Sequence, residues 1–164
     1  MQAAVSNPQP RSRITSLVNC PRQDFEDYRV RTINEIRQCI LVQGMTPSDA
    51  GMIIATLDEL YTLVHLDFIE LESEKERIDS IIRQCERSKT EGRNELDRKR
   101  NATVYLENYP IPNSSETVDM YELWREVYYR YNHLKHCLSI LENKQDRMIT
   151  LSGYMKIDAS FTRN

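Results

Sequence analysis

MYELWREVYYRYNHLKHCLSILENKQDRMITLSGYM, residues 120–155, sets an apolar side chain at every seventh position: Met120, Val127, Leu134, Leu141, Met148 and Met155. Trp124, Tyr131 and Leu138 fall between them at helical spacing. This is the pattern of a long helix lying along another helix. A second ladder, Leu57, Val64, Leu71, Ile78 and Cys85, with Tyr61, Phe68 and Ile82 beside it, lies upstream and supplies the partner. Pro110 and Pro112 stand between the two ladders, where the chain must reverse. The expectation is an all-α protein built on a long antiparallel helical hairpin. Leu57, Val64, Leu71 and Ile78 would pack against Trp124, Val127, Leu134, Leu141 and Met148.

Working outward, no proline occurs between Pro47 and Pro110 or after Pro112, so two long stretches lack the strongest helix breaker. Residues 1–22 carry Pro8, Pro10 and Pro21 among Ser, Asn, Gln and Arg and predict a flexible arm. Residues 23–164 predict a single helical domain. An extra N-terminal helix at about 24–42 follows from Phe25, Tyr28, Ile33, Ile36 and Ile40, with Gln43-Gly44 as its stop. The next helix, about 47–90, has a clear start in Thr46 as cap, Pro47 in the first position and Asp49 in the first turn. Gly92 marks a kink or an end. Residues 106–117 cannot continue a helix, Ser114 or Ser115 is the expected cap, and the last helix should span about 116–157. Leu60, Leu63, Leu66 and Ile69 on one helix, and Leu123, Tyr128 and Ile149 on the other, widen the apolar faces beyond one seam. A homo-oligomer is expected to cover them.

Cys20, Cys39, Cys85 and Cys137 have neither CxxC nor metal-knuckle spacing and read as free thiols. No apolar run reaches the roughly 18 residues of a membrane span, and MQAAVSNPQPRSR lacks the apolar centre of a secretory signal. A cytoplasmic protein, without membrane association, is the expectation. His133 and His136 have the i, i+3 spacing of a metal pair, but no cysteine or carboxylate completes a tetrahedral set. Glu70, Glu72, Glu74 and Glu76 alternate every second residue, which spreads them around a helix instead of converging them. There is no phosphate loop, no GxSxG and no credible Cys/His pairing. Neither an enzyme, a metal nor a cofactor is expected.

Charge carries the functional signal. The formal net charge of −3 conceals segregation: residues 45–82 hold nine Asp and Glu against two Lys and Arg, and residues 83–100 hold seven Lys and Arg against four acidic residues. The basic section, RQCERSKTEGRNELDRKR, contributes Arg83, Arg87, Lys89, Arg93, Arg98, Lys99 and Arg100. If it is helical, Lys89, Arg93 and Arg100 share a face. One reading is a solvated face laced with internal ion pairs. The other is a phosphate-binding surface, helped by Tyr105 and Tyr109 just beyond it. A second candidate surface runs along Arg125, Tyr128, Tyr129, Arg130, His133 and His136, with Arg125, Tyr129 and His136 on one flank. Those rings either meet a nucleic-acid strand or bury themselves in a subunit interface.

The order of parts, a capped long helix, a basic section, a proline-containing turn and an aromatic-rich helix led by Trp124, resembles phage recombination mediators of the UvsY type and the small helical hairpin proteins encoded beside phage recombination genes. CLSILENKQDRMITLSGYMKIDASF, residues 137–161, with Leu141, Arg147, Ile149, Leu151 and Phe161, looks like that family's last helix. TPSDAGMIIATLDELYTLVHLDFIELE, from Thr46, looks like the opening helix of the hairpin proteins. The resemblance covers roughly residues 46–161. It implies a ring-forming homo-oligomer that binds single-stranded DNA and helps load a recombinase onto strands covered by single-strand-binding protein, in the host cytoplasm. The nucleic-acid-binding candidates are then Arg83, Arg87, Lys89, Arg93, Arg98, Lys99, Arg100, Arg125 and Tyr129. The alternative is a non-enzymatic phage structural, scaffold or adaptor protein that binds other proteins through its helices.

Overall fold

The computed structural model describes residues 17, 19–42, 44–88 and 92–161, side chains in the last helix through Ile157. Most of the predicted arm and Lys89 lie outside the described residues. The described chain is all-α: helices α1 (Arg22–Gln38), α2 (Pro47–Ser88), α3 (Glu95–Glu107) and α4 (Met120–Phe161), plus a two-residue antiparallel ribbon of β1 (Tyr109–Pro110) and β2 (Thr117–Val118).

α2 and α4 have 42 residues each, about 63 Å of helix at 1.5 Å per residue. They run antiparallel along their length, as four cross-links show. Asp79 accepts from the Trp124 indole at 2.6 Å, Glu72 from Tyr131 at 3.5 Å, Glu142 from Tyr61 at 3.1 Å, and Asp58 from Gln145 at 3.4 Å. The two ladders meet between them. Leu57, Val64, Leu71 and Ile78 are fully buried, as are Val127 and Leu141, while Leu134 and Met148 are 1% and 7% exposed. Trp124 is half-buried and Cys85 and Met155 lie at the fading ends of the ladders.

α2 begins where its sequence directs. The Thr46 backbone N–H and hydroxyl donate to Asp49 at 2.7 and 2.8 Å, and the Asp49 N–H donates back to the Thr46 hydroxyl at 3.3 Å. These bonds, the backbone one foremost, hold the Asp49 carboxyl below its ordinary pKa.

Elsewhere the boundaries move. α1 ends at Gln38, four residues before the expected Val42, because Cys39 leaves helical torsion at ψ 77° and a side chain of another helix takes up the end: Lys144 of α4 donates to the Ile36 carbonyl. Ile40 is consequently exposed. α4 starts at Met120 and not near 116, because its cap is Asp119, which accepts from the Tyr121 and Glu122 N–H groups at 2.8 and 3.1 Å. Ser114 instead accepts from the Glu116 N–H in the ribbon loop.

The connection between the long helices is not a simple turn. α3 starts on Asn94, whose side chain accepts from the Asp97 N–H at 2.9 Å. Before it, Gly92 adopts φ +147°, and a Cβ there would stand 2.9 Å from the Arg98 backbone nitrogen. Gly92→Ala should therefore unseat the α2–α3 bend, destabilising the fold by about 1–3 kcal/mol. Urea unfolding measures the cost, and an unchanged midpoint would show that the bend tolerates a side chain.

α1 lies across one side of the α2–α4 pair, burying Phe25, Tyr28, Thr32 and Ile36 at helical spacing. Tyr28 donates to Asp67 of α2 at 2.7 Å, and Tyr129 of α4 donates to Glu26. The segment before α1 is also seated: Leu17 and Cys20 are 3% and 6% exposed. Within the expected arm, Leu17 and Cys20 are held against α4, because Arg130 donates to the carbonyls of both.

Candidate nucleic-acid interface

The basic section does not form one helix. Arg83 and Arg87 ride the last turns of α2, Arg93 sits in the bend, and Arg98, Lys99 and Arg100 belong to α3. Of the three residues that would share a face in a continuous helix, Lys89 lies outside the described residues, and Arg93 and Arg100 do not share one, because Arg93 sits in the bend after the positive-φ Gly92 and α3 starts on Asn94.

What brings the charges together is the packing of α3 against the C-terminal end of α2 and the N-terminal end of α4. Burial raises the Tyr121 phenol at the start of α4, with Glu86 of α2 and Glu107 of α3 acting in the same direction. Three helices thus converge at this end. Arg83, Arg87, Arg93, Arg98 and Arg100 are all exposed there, and none makes an ion pair among the described residues. Lys99 differs. Its ammonium meets Glu95 at 2.8 Å, a bond that raises the Lys99 pKa and lowers that of Glu95.

Arg83 and Arg87 also line an open groove on α2 with Lys75, Asp79 and Gln84. Tyr105 and Tyr109 stand edge-to-face at 5.8 Å between α3 and the ribbon, both half-buried.

The second predicted surface is largely spoken for. Arg125, Tyr129 and His136 do line one shallow cleft with Tyr128 and His133. Tyr129, however, donates its hydroxyl to Glu26, packs edge-on against Phe25 at 6.2 Å and carries the Arg22 guanidinium 4.9 Å above its ring. Its pKa is raised by that bond to Glu26, and the Glu26 carboxyl is lowered by the same bond. Tyr129 thus ties α4 to α1 through its hydroxyl and ring. Burial pushes His133 below the ordinary imidazole value, with Arg29 adding to the effect. Arg125 remains exposed, its Nε donating to the Tyr121 carbonyl at 3.3 Å.

Arg130, which the sequence grouped with these surface residues, is 3% exposed. Nothing in its immediate neighbours marks it as buried; the two carbonyls that it holds lie 110 and 113 positions away.

Along the opposite side of the α2–α4 seam from α1 runs a row of rings that the sequence does not connect. Trp124 stacks on Tyr128 at 4.8 Å and 8°, Tyr128 lies 6.4 Å from Tyr131, and Tyr131 stacks on Phe68 at 5.0 Å. The row continues through His65 at 6.4 Å to Tyr61 at 5.5 Å. The i, i+3 and i+4 spacing on both helices could have shown it, had the two stripes been aligned.

Among the described residues no cluster of His, Cys, Asp and Glu could hold a metal ion, and no helix is long and apolar enough to cross a membrane. All four cysteines are free, Cys20, Cys39 and Cys137 being buried. Compared with known proteins, the chain matches no family model, no curated protein and no solved structure.

Proposed function

We propose that this protein is a non-enzymatic helical scaffold that binds single-stranded DNA through its basic end. The observation that carries the reading is that five exposed arginines, Arg83, Arg87, Arg93, Arg98 and Arg100, stand on the end of α2, the bend and α3 with no ion pair among the described residues. Phosphate contact needs mobile positive charge and releases counterions, so it confers affinity without sequence preference. Arg125 can extend the surface, while Lys99 must first exchange its partner Glu95.

Assembly into a homo-oligomer would multiply this modest charge by avidity. Support comes from large apolar side chains left in solvent, Leu63, Leu66 and Ile69 on α2 and Leu151, Tyr154 and Ile157 on α4. Loading of a recombinase onto strands held by single-strand-binding protein, in the host cytoplasm, is the biological role that the mediator-like order of parts supports.

The test is fluorescence anisotropy with labelled oligo-dT across a salt series. Five phosphate contacts predict a log–log slope of about −3.5 on single strands. Arg93→Glu, Arg98→Glu and Arg100→Glu together should weaken binding more than tenfold at low salt while light scattering reports an unchanged mass. Full affinity in the triple variant would reject the basic end as the site. Loss of assembly instead would favour the second reading, an adaptor or scaffold that uses its charged surfaces to bind protein. The ring row on the acidic part of α2 is the observation on that side.

A further inference from the structure

The ring row bears carboxylates where a phosphate-binding strip would bear cations. Three of its four indole and phenol groups donate to acids: Trp124 to Asp79, Tyr131 to Glu72 and Tyr61 to Glu142. Exposed Glu76 lines the groove beside Asp79, and the α2 segment carrying the row has the chain's largest excess of negative charge. A nucleic-acid strand laid here would set phosphates against Glu72, Glu76 and Glu142, with Lys75 and Lys135 offsetting only part of that charge, a like-charge arrangement that costs affinity.

The same elements suit a cation. Ring faces attract ammonium and guanidinium groups, and a carboxylate at the ring edge completes their hydrogen bonding. The protein already shows the preference within itself: Lys75 Nζ lies 5.3 Å from the Tyr131 ring centre and 3.4 Å from Asp79, and Lys135 Nζ lies 6.0 Å from the same ring. Tyr128, in the middle of the stack, is 40% exposed and has no cation of its own over it among the described residues. α1 fills the other side of the seam and leaves this one open.

The geometry points to a docking strip for an arginine-rich, extended segment of a partner protein, running from Trp124 and Tyr128 past Tyr131 and Phe68 to Tyr61. Tyr61 to Asp79 spans about 27 Å of helix, which an extended peptide of about eight residues covers. Guanidinium groups would stack on the exposed ring faces and bridge to Glu76 and Glu142. The strip meets the basic end where Glu76 and Asp79 share the α2 groove with Arg83 and Arg87, but Tyr128, Tyr131, Phe68 and Tyr61 lie outside that groove, so peptide and oligo-dT binding are read separately.

The experiment uses a fluorescein-labelled decapeptide of alternating Arg and Gly, with an alternating Glu and Gly decapeptide as control, titrated with the full chain by anisotropy at low and moderate salt. The arginine peptide should bind and the glutamate peptide should not. Tyr128→Ser, which changes no charge, should weaken binding about two- to five-fold. Glu76→Gln combined with Glu142→Gln, both exposed and outside the core, should weaken it further. Tyr128→Ser should leave oligo-dT affinity unchanged, and neither set should change the mass by light scattering. Three results overturn the proposal: no arginine-peptide binding at low salt; binding that ignores Tyr128→Ser, which marks generic electrostatics; or variants that alter self-association or DNA affinity instead, which assign the strip to a second copy or to the strand.

Discussion

Arg130→Met should destabilise the protein by about 3 kcal/mol and release the segment before α1, because one buried guanidinium satisfies two carbonyls of that segment and a carboxylate at once. Arg130 donates to the carbonyls of Leu17 and Cys20 and to Glu126 at 3.0 Å, and lies 5.5 Å over the Phe25 ring. Methionine keeps much of the apolar volume but offers no donor. Each buried acceptor left unpaired costs about 1–3 kcal/mol, and Glu126 retains only the Arg22 contact at 3.8 Å. The loss is directional. Amide exchange should quicken at Leu17, Cys20 and the first turn of α1, while the α2–α4 seam keeps its protection. Arg130→Lys should recover less than half, since an ammonium cannot present the planar fork that spans two carbonyls. Denaturant unfolding with residue-level exchange is the measurement. Unchanged protection at residues 17–25 in the methionine variant would refute the role assigned to Arg130.

What sequence could and could not reveal follows from the range of the forces involved. The ladders were legible because helix–helix burial repeats every seven residues and needs no knowledge of the partner. The Thr46–Asp49 cap was legible because both halves lie within one turn. α3 escaped because its buried face is only Ala102 and Leu106, while Leu96 and Val104 are 76% and 53% exposed. Such a helix has no apolar stripe to read; it is specified by Asn94 at one end and by contact with two other helices. The early stop of α1 depends on Lys144, a residue more than a hundred positions away.

The candidate site divides in the same way. Arg83, Arg93, Arg98 and Arg100 could be named from charge alone, but which cations stay unpaired is a tertiary fact, and it separates Lys99 from its neighbours. Tyr129 and Arg130 looked like neighbours of a strand because they are adjacent to Arg125 and Tyr128 in the chain. Helical geometry turns them instead toward α1, while Trp124, Tyr128 and Tyr131 turn to the other side of the seam. Four rings within eight residues thus serve opposite faces, and only the position of α1 decides which face is filled.

That division depends on the register of the two long helices, and a pair of leucine substitutions tests it. Leu71 is fully buried at the middle of the seam, and Leu66, five residues earlier on the same helix, is 55% exposed. Leu71→Ala removes the same atoms as Leu66→Ala but leaves a cavity among close-packed side chains, so it should cost about 3 kcal/mol. For a chain of this size that lowers Tm by about 6–12 °C. Leu66→Ala in the dissociated protein should stay within about 0.5 kcal/mol. A slip of the helix by a single residue would rotate Leu71 about 100° off the seam and carry the ring row away from its carboxylate partners. Thermal scans at low concentration separate the cases. Near-equal effects of the two substitutions would reject the register, and with it the placement of Trp124, Tyr131 and Tyr61 opposite Asp79, Glu72 and Glu142. If Leu66→Ala lowers Tm only at high concentration, the exposed face of α2 is covered by another copy, and the difference between the two scans measures that contact.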